Sequence, residues 1–224
     1  MRRLGLAVGG SALALAAIAA TRFGGWAVVS VEQVPDHWIT GKPLQLAFQI
    51  RQHAQNHMEG LKPLVQARSG SRVVTARTWE FDEDGGRGYR SRLVFPEAGD
   101  WQVTINTGFG SSKGILLPWR VVDSNAAALP PLSQAERGRR LFAAKGCVSC
   151  HVHRSIDIVG QMSGVAPELS DRRFPPEYLA KFLADPTIKP ATTRAGQMPN
   201  PRLNEREIAT LVAFINAERK LSSR

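Results

Sequence analysis

The sequence predicts two domains of different class, an all-β sandwich followed by an all-α domain. Three observations predict this. Apolar residues recur with period two between Trp26 and Val122, the period changes to that of helices from Ser133 onward, and a proline-containing stretch separates the two patterns. The length of 224 residues suits two modest domains, and the composition is globular, without a low-complexity tract. The boundaries expected are 1–23 for a leader, 24–124 for the sandwich, 125–132 for a linker and 133–224 for the helical domain.

Met1-Arg2-Arg3, the apolar run from Leu4 and the alanine-rich stretch to Ala20 have the charged, apolar and small-residue regions of a secretory signal, with Ala17-Ile18-Ala19 as a cleavage site. An uncleaved N-terminal anchor is the alternative, because Gly24 to Val29 is also apolar after the interruption at Arg22. Both readings place the chain outside the cytosol, in the periplasm or an equivalent compartment. Arg2-Arg3 lies too near the terminus for a convincing twin-arginine signal.

In the sandwich, Leu44, Leu46, Phe48 and Ile50 alternate with Gln45, Ala47 and Gln49, as expected where one face is buried and the other wet. The period returns in Tyr89, Ser91, Leu93 and Phe95, and again in Trp101, Val103 and Ile105. Further extended runs are Ala27 to Val31, Leu64 to Ala67, Val73 to Phe81 and Ile115 to Val122, divided by turns such as Gly41-Lys42-Pro43. Strands of this number and spacing suggest an immunoglobulin-type antiparallel sandwich. Both cysteines fall outside it, so Trp79, Phe81, Phe95, Trp101 and Trp119 are expected to supply much of its core. Arg90 and Arg92 read as its wet face.

Asn125-Ala126-Ala127-Ala128-Leu129-Pro130-Pro131 reads as a semi-rigid linker that keeps the domains close without fixing their contact. Ser133 with Glu136 is a capping-box signature, opening a helix that ends near Gly146. A second helix starts at Pro175-Pro176-Glu177, carries Tyr178, Leu179, Phe182 and Leu183 on one face and stops at Asp185-Pro186. The third starts at Asn204 with Glu207 three residues on, and Ile208, Leu211, Val212 and Ile215 follow at helical spacing.

Between the first and second helices lies Cys147-Val148-Ser149-Cys150-His151, which contains the only two cysteines of the chain. This is the Cys-x-x-Cys-His pattern of covalent c-type haem attachment. Two thiols three residues apart can each bond one vinyl-derived carbon of a porphyrin, and the next residue then offers its imidazole to the iron. The rival readings each lack something. A structural zinc site needs four ligands and there is no second cysteine pair, while a dithiol oxidoreductase would carry the motif in a βαβ unit.

Residues 133–224 resemble a small class I cytochrome c. Gly138, Phe142 and Phe214 match the places where that family crosses its first and last helices, and Gly164, Pro167 and Leu169 match its turn after the haem motif. The resemblance implies one covalent haem c, with Pro167 against the proximal His151 and Met198 of Met198-Pro199 as sixth ligand. Chain geometry points the same way, because Met198 follows on a loop long enough to wrap to the opposite ring face, whereas Met162 is close behind His151. The sandwich is loosely similar to YtkA-like immunoglobulin-type domains of exported proteins linked to copper and terminal-oxidase assembly. The similarity rests on Gly41-Lys42-Pro43, Gly88-Tyr89 and Ala98-Gly99-Asp100-Trp101.

His53, His57 and Met58 offer two imidazoles and a thioether, which suit copper, although three ligands without a fourth more often sit on a solvated turn. His37 and His153 read as ordinary structural histidines. The acidic run Glu80 to Asp84 lacks the regular spacing of a calcium loop and reads as a solvated turn.

The formal charge is +10, and from Asn125 onward fifteen Lys or Arg face nine Asp or Glu. Such an excess can steer the chain to an acidic redox partner or to anionic lipid. Dispersed charges, the absence of a nucleic-acid motif and the export signal exclude nucleic acid. The function expected is that of a one-electron carrier or relay without catalysis of its own. Its haem edge, ringed by residues such as Lys145 and Arg194, would meet an acidic partner, with a membrane oxidase or reductase as one such partner and membrane association only through an uncleaved N-terminus. The alternative is a copper-handling or oxidase-assembly accessory protein.

Overall fold

A computed structural model describes residues 25–83, 86–125, 129–158, 165–189 and 196–217. The leader or anchor read at residues 1–23 lies outside them, as do Met162, Gly164, Arg194 and Asp84.

The N-terminal domain is all-β. Its strands are β1 (Ala27–Val31), β2 (Trp38–Ile39), β3 (Pro43–Gln52), β4 (Asn56–His57), β5 (Leu64–Ser69), β6 (Arg72–Glu83), β7 (Gly86–Val94), β8 (Gly99–Asn106), β9 (Lys113–Ile115) and β10 (Trp119–Val122). Hydrogen bonding is continuous in the order β1-β3-β7-β6-β5-β8-β10-β2, with β4 added to β3 and β9 to β8. The long β6 turns the corner of this half-barrel. Its first half, to Arg77, pairs with β5, and its second half, from Thr78, pairs with β7. One continuous sheet therefore folds over itself, instead of two separate sheets facing each other. The run expected from Ile115 to Val122 is divided into β9 and β10, and the two-residue β2 and β4 are too short to show a period.

The alternation in β3 does what its pattern implies, with Leu44, Leu46, Phe48 and Ile50 buried in one core. Phe95, Trp101 and Trp119 join them. Trp79 and Phe81 correct the expectation. Trp79 is 46% exposed and Phe81 is half-buried beneath the guanidinium of Arg90, 4.1 Å from its ring centre. The reason is register. Trp79 stands opposite Arg90, and directly opposed residues of an antiparallel pair share a face, which here is the wet one.

The C-terminal domain has, among the described residues, the α-helices α1 (Gln134–Ala144), α2 (Pro176–Ala184) and α3 (Glu205–Ile215), with 3₁₀ turns at Cys147–Ser149 and Pro186–Ile188. Ser133 caps α1 by accepting from the Glu136 amide at 3.1 Å, but the Glu136 carboxylate turns to Arg139 and Arg140 and leaves the capping box half made. At α3 the box closes in both directions between Asn204 and Glu207. α1 and α3 cross at Gly138, where an added Cβ would stand 2.2 Å from the Thr210 carbonyl oxygen, so only glycine admits this approach. Beside it Phe142 and Phe214 meet edge to face at 5.6 Å.

The two domains are fastened together, which differs from the loose tether expected. Asp36 receives two hydrogen bonds from Arg137 on α1, at 2.8 and 2.6 Å, and its carbonyl accepts from Arg140. Ala144 at the end of α1 belongs to the β-domain core, and Leu117 of the β-domain belongs to the helical core. Gly146 lies so close to β1 that a Cβ there would be 2.2 Å from Val28 Cγ1.

Candidate functional site

Gly146, in the left-handed conformation with φ 76°, ends α1 and turns the chain into the motif. The amides of Cys150 and His151 both return to the Cys147 carbonyl, at 3.1 and 2.9 Å. This single hydrogen-bonded turn places Cys147, Cys150 and His151 on one cavity of about 510 Å³, within the range of small-molecule and cofactor sites. Met198 and Pro199 also line it, as do Tyr178, Leu179, Phe182 and Leu183 from one face of α2. The sequence face of α2 is thus the cavity face.

His151 Nδ1 and the Pro167 carbonyl oxygen are 2.8 Å apart, so Nδ1–H donates to this carbonyl. The ring is then oriented, and Nε2 carries the free lone pair. Burial pushes the His151 pKa below the ordinary histidine value, with the Pro167 bond acting in the opposite sense, and the imidazole is neutral at pH 7. Both cysteines are free thiols. Burial and the neighbouring Cys150 raise Cys147 to about 12, and burial raises Cys150 as well. Isolated thiols of this kind are poor nucleophiles at neutral pH, unlike those of a dithiol oxidoreductase.

These residues fit a haem. Two thiols and an oriented neutral imidazole are adjacent, a thioether lies in the same cavity, and the remaining walls are mainly apolar. Residues 133–215 match the family described as cytochrome C oxidase, cbb3-type, subunit III. This stretch is a c-type cytochrome domain. Such a domain implies haem c and electron transfer. No curated protein matches the chain. Among solved structures, domains 4 and 5 of the S-layer protein SbsC are similar at 16% identity with a TM-score of 0.28, over 42% of this chain and 50% of that one. The present chain thus spans half the length of that structure. The CARDB domain of a Pyrococcus furiosus protein, in complex with di-metal ions, is similar at 9% identity and a TM-score of 0.24, over 44% of this chain and 89% of that one.

The cavity has walls that the sequence pattern did not announce. Trp26, His53 and Gln55 of the β-domain line it together with residues of the cytochrome domain. Trp26 and His53 meet edge to face at 5.7 Å, and His53 holds a positive φ of 51° in the β3–β4 turn. Nothing local marks these residues as partners of a motif so distant in sequence. Arg172 and Lys189 line the cavity from the cytochrome domain.

His53, His57 and Met58 are not gathered into a ligand set. His53 turns to Trp26 and the haem cavity, His57 stands across from Arg51 on β4, and Met58 packs against the β-domain core. Among the described residues no three His, Cys, Asp or Glu side chains form a metal-holding group. Of the acidic run, Glu80 accepts from the Gly60 amide at 2.6 Å and Glu83 pairs with Arg90 at 2.5 Å. His153 is a core histidine, 4.4 Å from the Phe214 ring.

Lys145 also corrects an expectation. Its side chain is 7% exposed and ion-paired to Glu207 at 2.7 Å, so it braces α1 against α3 and does not decorate a docking rim.

Proposed function

We propose that the chain is an exported monohaem c-type cytochrome that carries or relays one electron. Cys147 and Cys150 would hold the haem covalently, with His151 and Met198 as its axial ligands. The observation that carries this reading is the convergence of these four side chains on one apolar cavity, with His151 oriented by Pro167. When bound, the haem supplies the one-electron ferric–ferrous couple. The chain's residues do the rest. His151 is held by Pro167 in one orientation and tautomer, and the Met198 thioether, a soft ligand, favours the reduced state. The apolar walls from α2 and α3 would limit water around the haem and keep reorganisation small, and no catalytic step is required of the chain.

The strand order β1-β3-β7-β6 on one side of the β6 corner and β5-β8-β10 on the other side of it supports an immunoglobulin-type reading of the β-domain, and the YtkA-like resemblance fits an exported module. The charge excess supports an acidic redox partner, and the oxidase subunit named by the matching family supports a membrane oxidase in that role. The N-terminal segment supports export, with tethering if it is retained; no helix among the described residues is long and apolar enough to cross a membrane. The test is carbon monoxide addition to the reduced, haem-loaded chain. The expected spectrum is unchanged in the native protein and shifted in Met198→Ala. A rapid shift in the native protein would overturn the closed, six-coordinate carrier.

A further inference from the structure

Arg51 is one residue out of step with the core-facing Leu44, Leu46, Phe48 and Ile50, so its side chain belongs to the outer face of β3. It is nonetheless only 4% exposed. Its register partners are Val28 on β1 and His57 on β4. Directly opposed residues share a face with their Cβ atoms roughly 5 Å apart. Val28 is the residue on which Gly146 rests, next to Cys147. Arg51 is thereby the strand neighbour of the residue on which the Gly146–Cys147 turn rests.

Among the described residues no carboxylate pairs with it. Arg51 Nε is buried without a hydrogen-bond partner, and so is His57 Nδ1 across the strand. Its pKa is lowered by burial and then by the like charge of Arg202, which follows the Met198 loop in the cytochrome domain. A guanidinium does not shed its proton inside a protein, so the charge is permanent. An apolar side chain of similar volume would satisfy packing alone, since an unpaired buried cation opposes folding. A cation kept at this place acts on whatever charge lies beyond the turn.

We propose that Arg51, a permanent cation supplied by the β-domain beside Val28, on which the Gly146–Cys147 turn rests, raises the reduction potential of the haem held by Cys147, Cys150, His151 and Met198. The inference rests on the haem reading above. Reduction adds one electron, delivered by an external donor, with no proton taken up and no change in Arg51 itself. A fixed positive charge favours the state that carries one positive charge fewer. At separations of the order of 10–15 Å and an effective dielectric of about 20, one charge displaces a one-electron equilibrium about tenfold. The β-domain then tunes the haem site besides walling it.

The experiment is a mediated potentiometric titration of the haem-loaded full chain and its variants, with thermal unfolding as a second readout. Arg51→Met is expected to shift the equilibrium about tenfold toward the oxidised form, about 59 mV, without lowering the melting temperature. Arg51→Lys is expected to keep most of the native potential, and Arg51→Gln gives the charge-free reading if the methionine is not accommodated. A potential that ignores loss of the charge, or that falls as far in Arg51→Lys as in Arg51→Met, overturns the proposal and leaves the haem reading intact. A native chain that attaches no haem overturns both.

Discussion

Gly146→Ala is the most informative perturbation of the way the two domains meet. Two separate effects fall on one methyl group. The left-handed conformation, φ 76°, costs an alanine about 1–2 kcal/mol, and this part is local to the turn between α1 and the haem motif. The methyl would also stand 2.2 Å from Val28 Cγ1 and 2.7 Å from the Val29 carbonyl oxygen, so β1 or the turn must move. Overpacking of this kind costs about 1–3 kcal/mol and falls on the docking of the domains, not on either core. Each 1.4 kcal/mol is about a tenfold change in the docked population. Small-angle scattering should show a larger radius of gyration, while circular dichroism retains the signature of both domains. Val28→Ala in the same chain should recover part of the docking, because it removes one of the two collisions and leaves the Val29 carbonyl. An unchanged radius together with an unchanged melting temperature would refute the reasoning, since it would mean that the close approach at Gly146 is not needed for docking.

Gly138→Ala gains up to about 1 kcal/mol of helix propensity but drives a methyl into the Thr210 carbonyl; a net loss of about 2 kcal/mol, and a fall of roughly 10 °C in melting temperature, should appear in thermal circular dichroism. The hydrogen bond from Arg137 holds the Asp36 carboxyl below its usual range, so its contribution to docking is complete above the unfolded carboxylate value and is lost as pH falls through the lowered one. Scattering should therefore show a docked chain from pH 8 to 5 and loosening only below about pH 4, and Asp36→Asn should remove that acid step. Before haem attachment, the raised thiols should react slowly with iodoacetamide at pH 8, with Cys150 faster than Cys147; after attachment neither should react, as mass spectrometry of the intact chain would show.

Features that depend on near neighbours were legible in the chain. The alternation of β3, the caps at Ser133 and Asn204, the proline start of α2 and the run Cys147 to His151 all express spacing within a few residues, and backbone geometry converts such spacing directly into a face, a helix end or a turn. The α2 face carrying Tyr178, Leu179, Phe182 and Leu183 pointed to the cavity for the same reason. Tertiary structure decided the features that depend on which distant segment lies opposite. Trp79 is wet because its register partner is Arg90, and Lys145 is buried because α3 brings Glu207 to it. Trp26 and His53 wall a cavity whose chemistry lies in another domain, and Arg51 on the outer face of β3 is buried beside Val28, on which Gly146 rests. A one-dimensional pattern states which side of an element is apolar. What that side touches depends on long-range packing, and here the packing brought a β-domain to the Cys147–His151 motif.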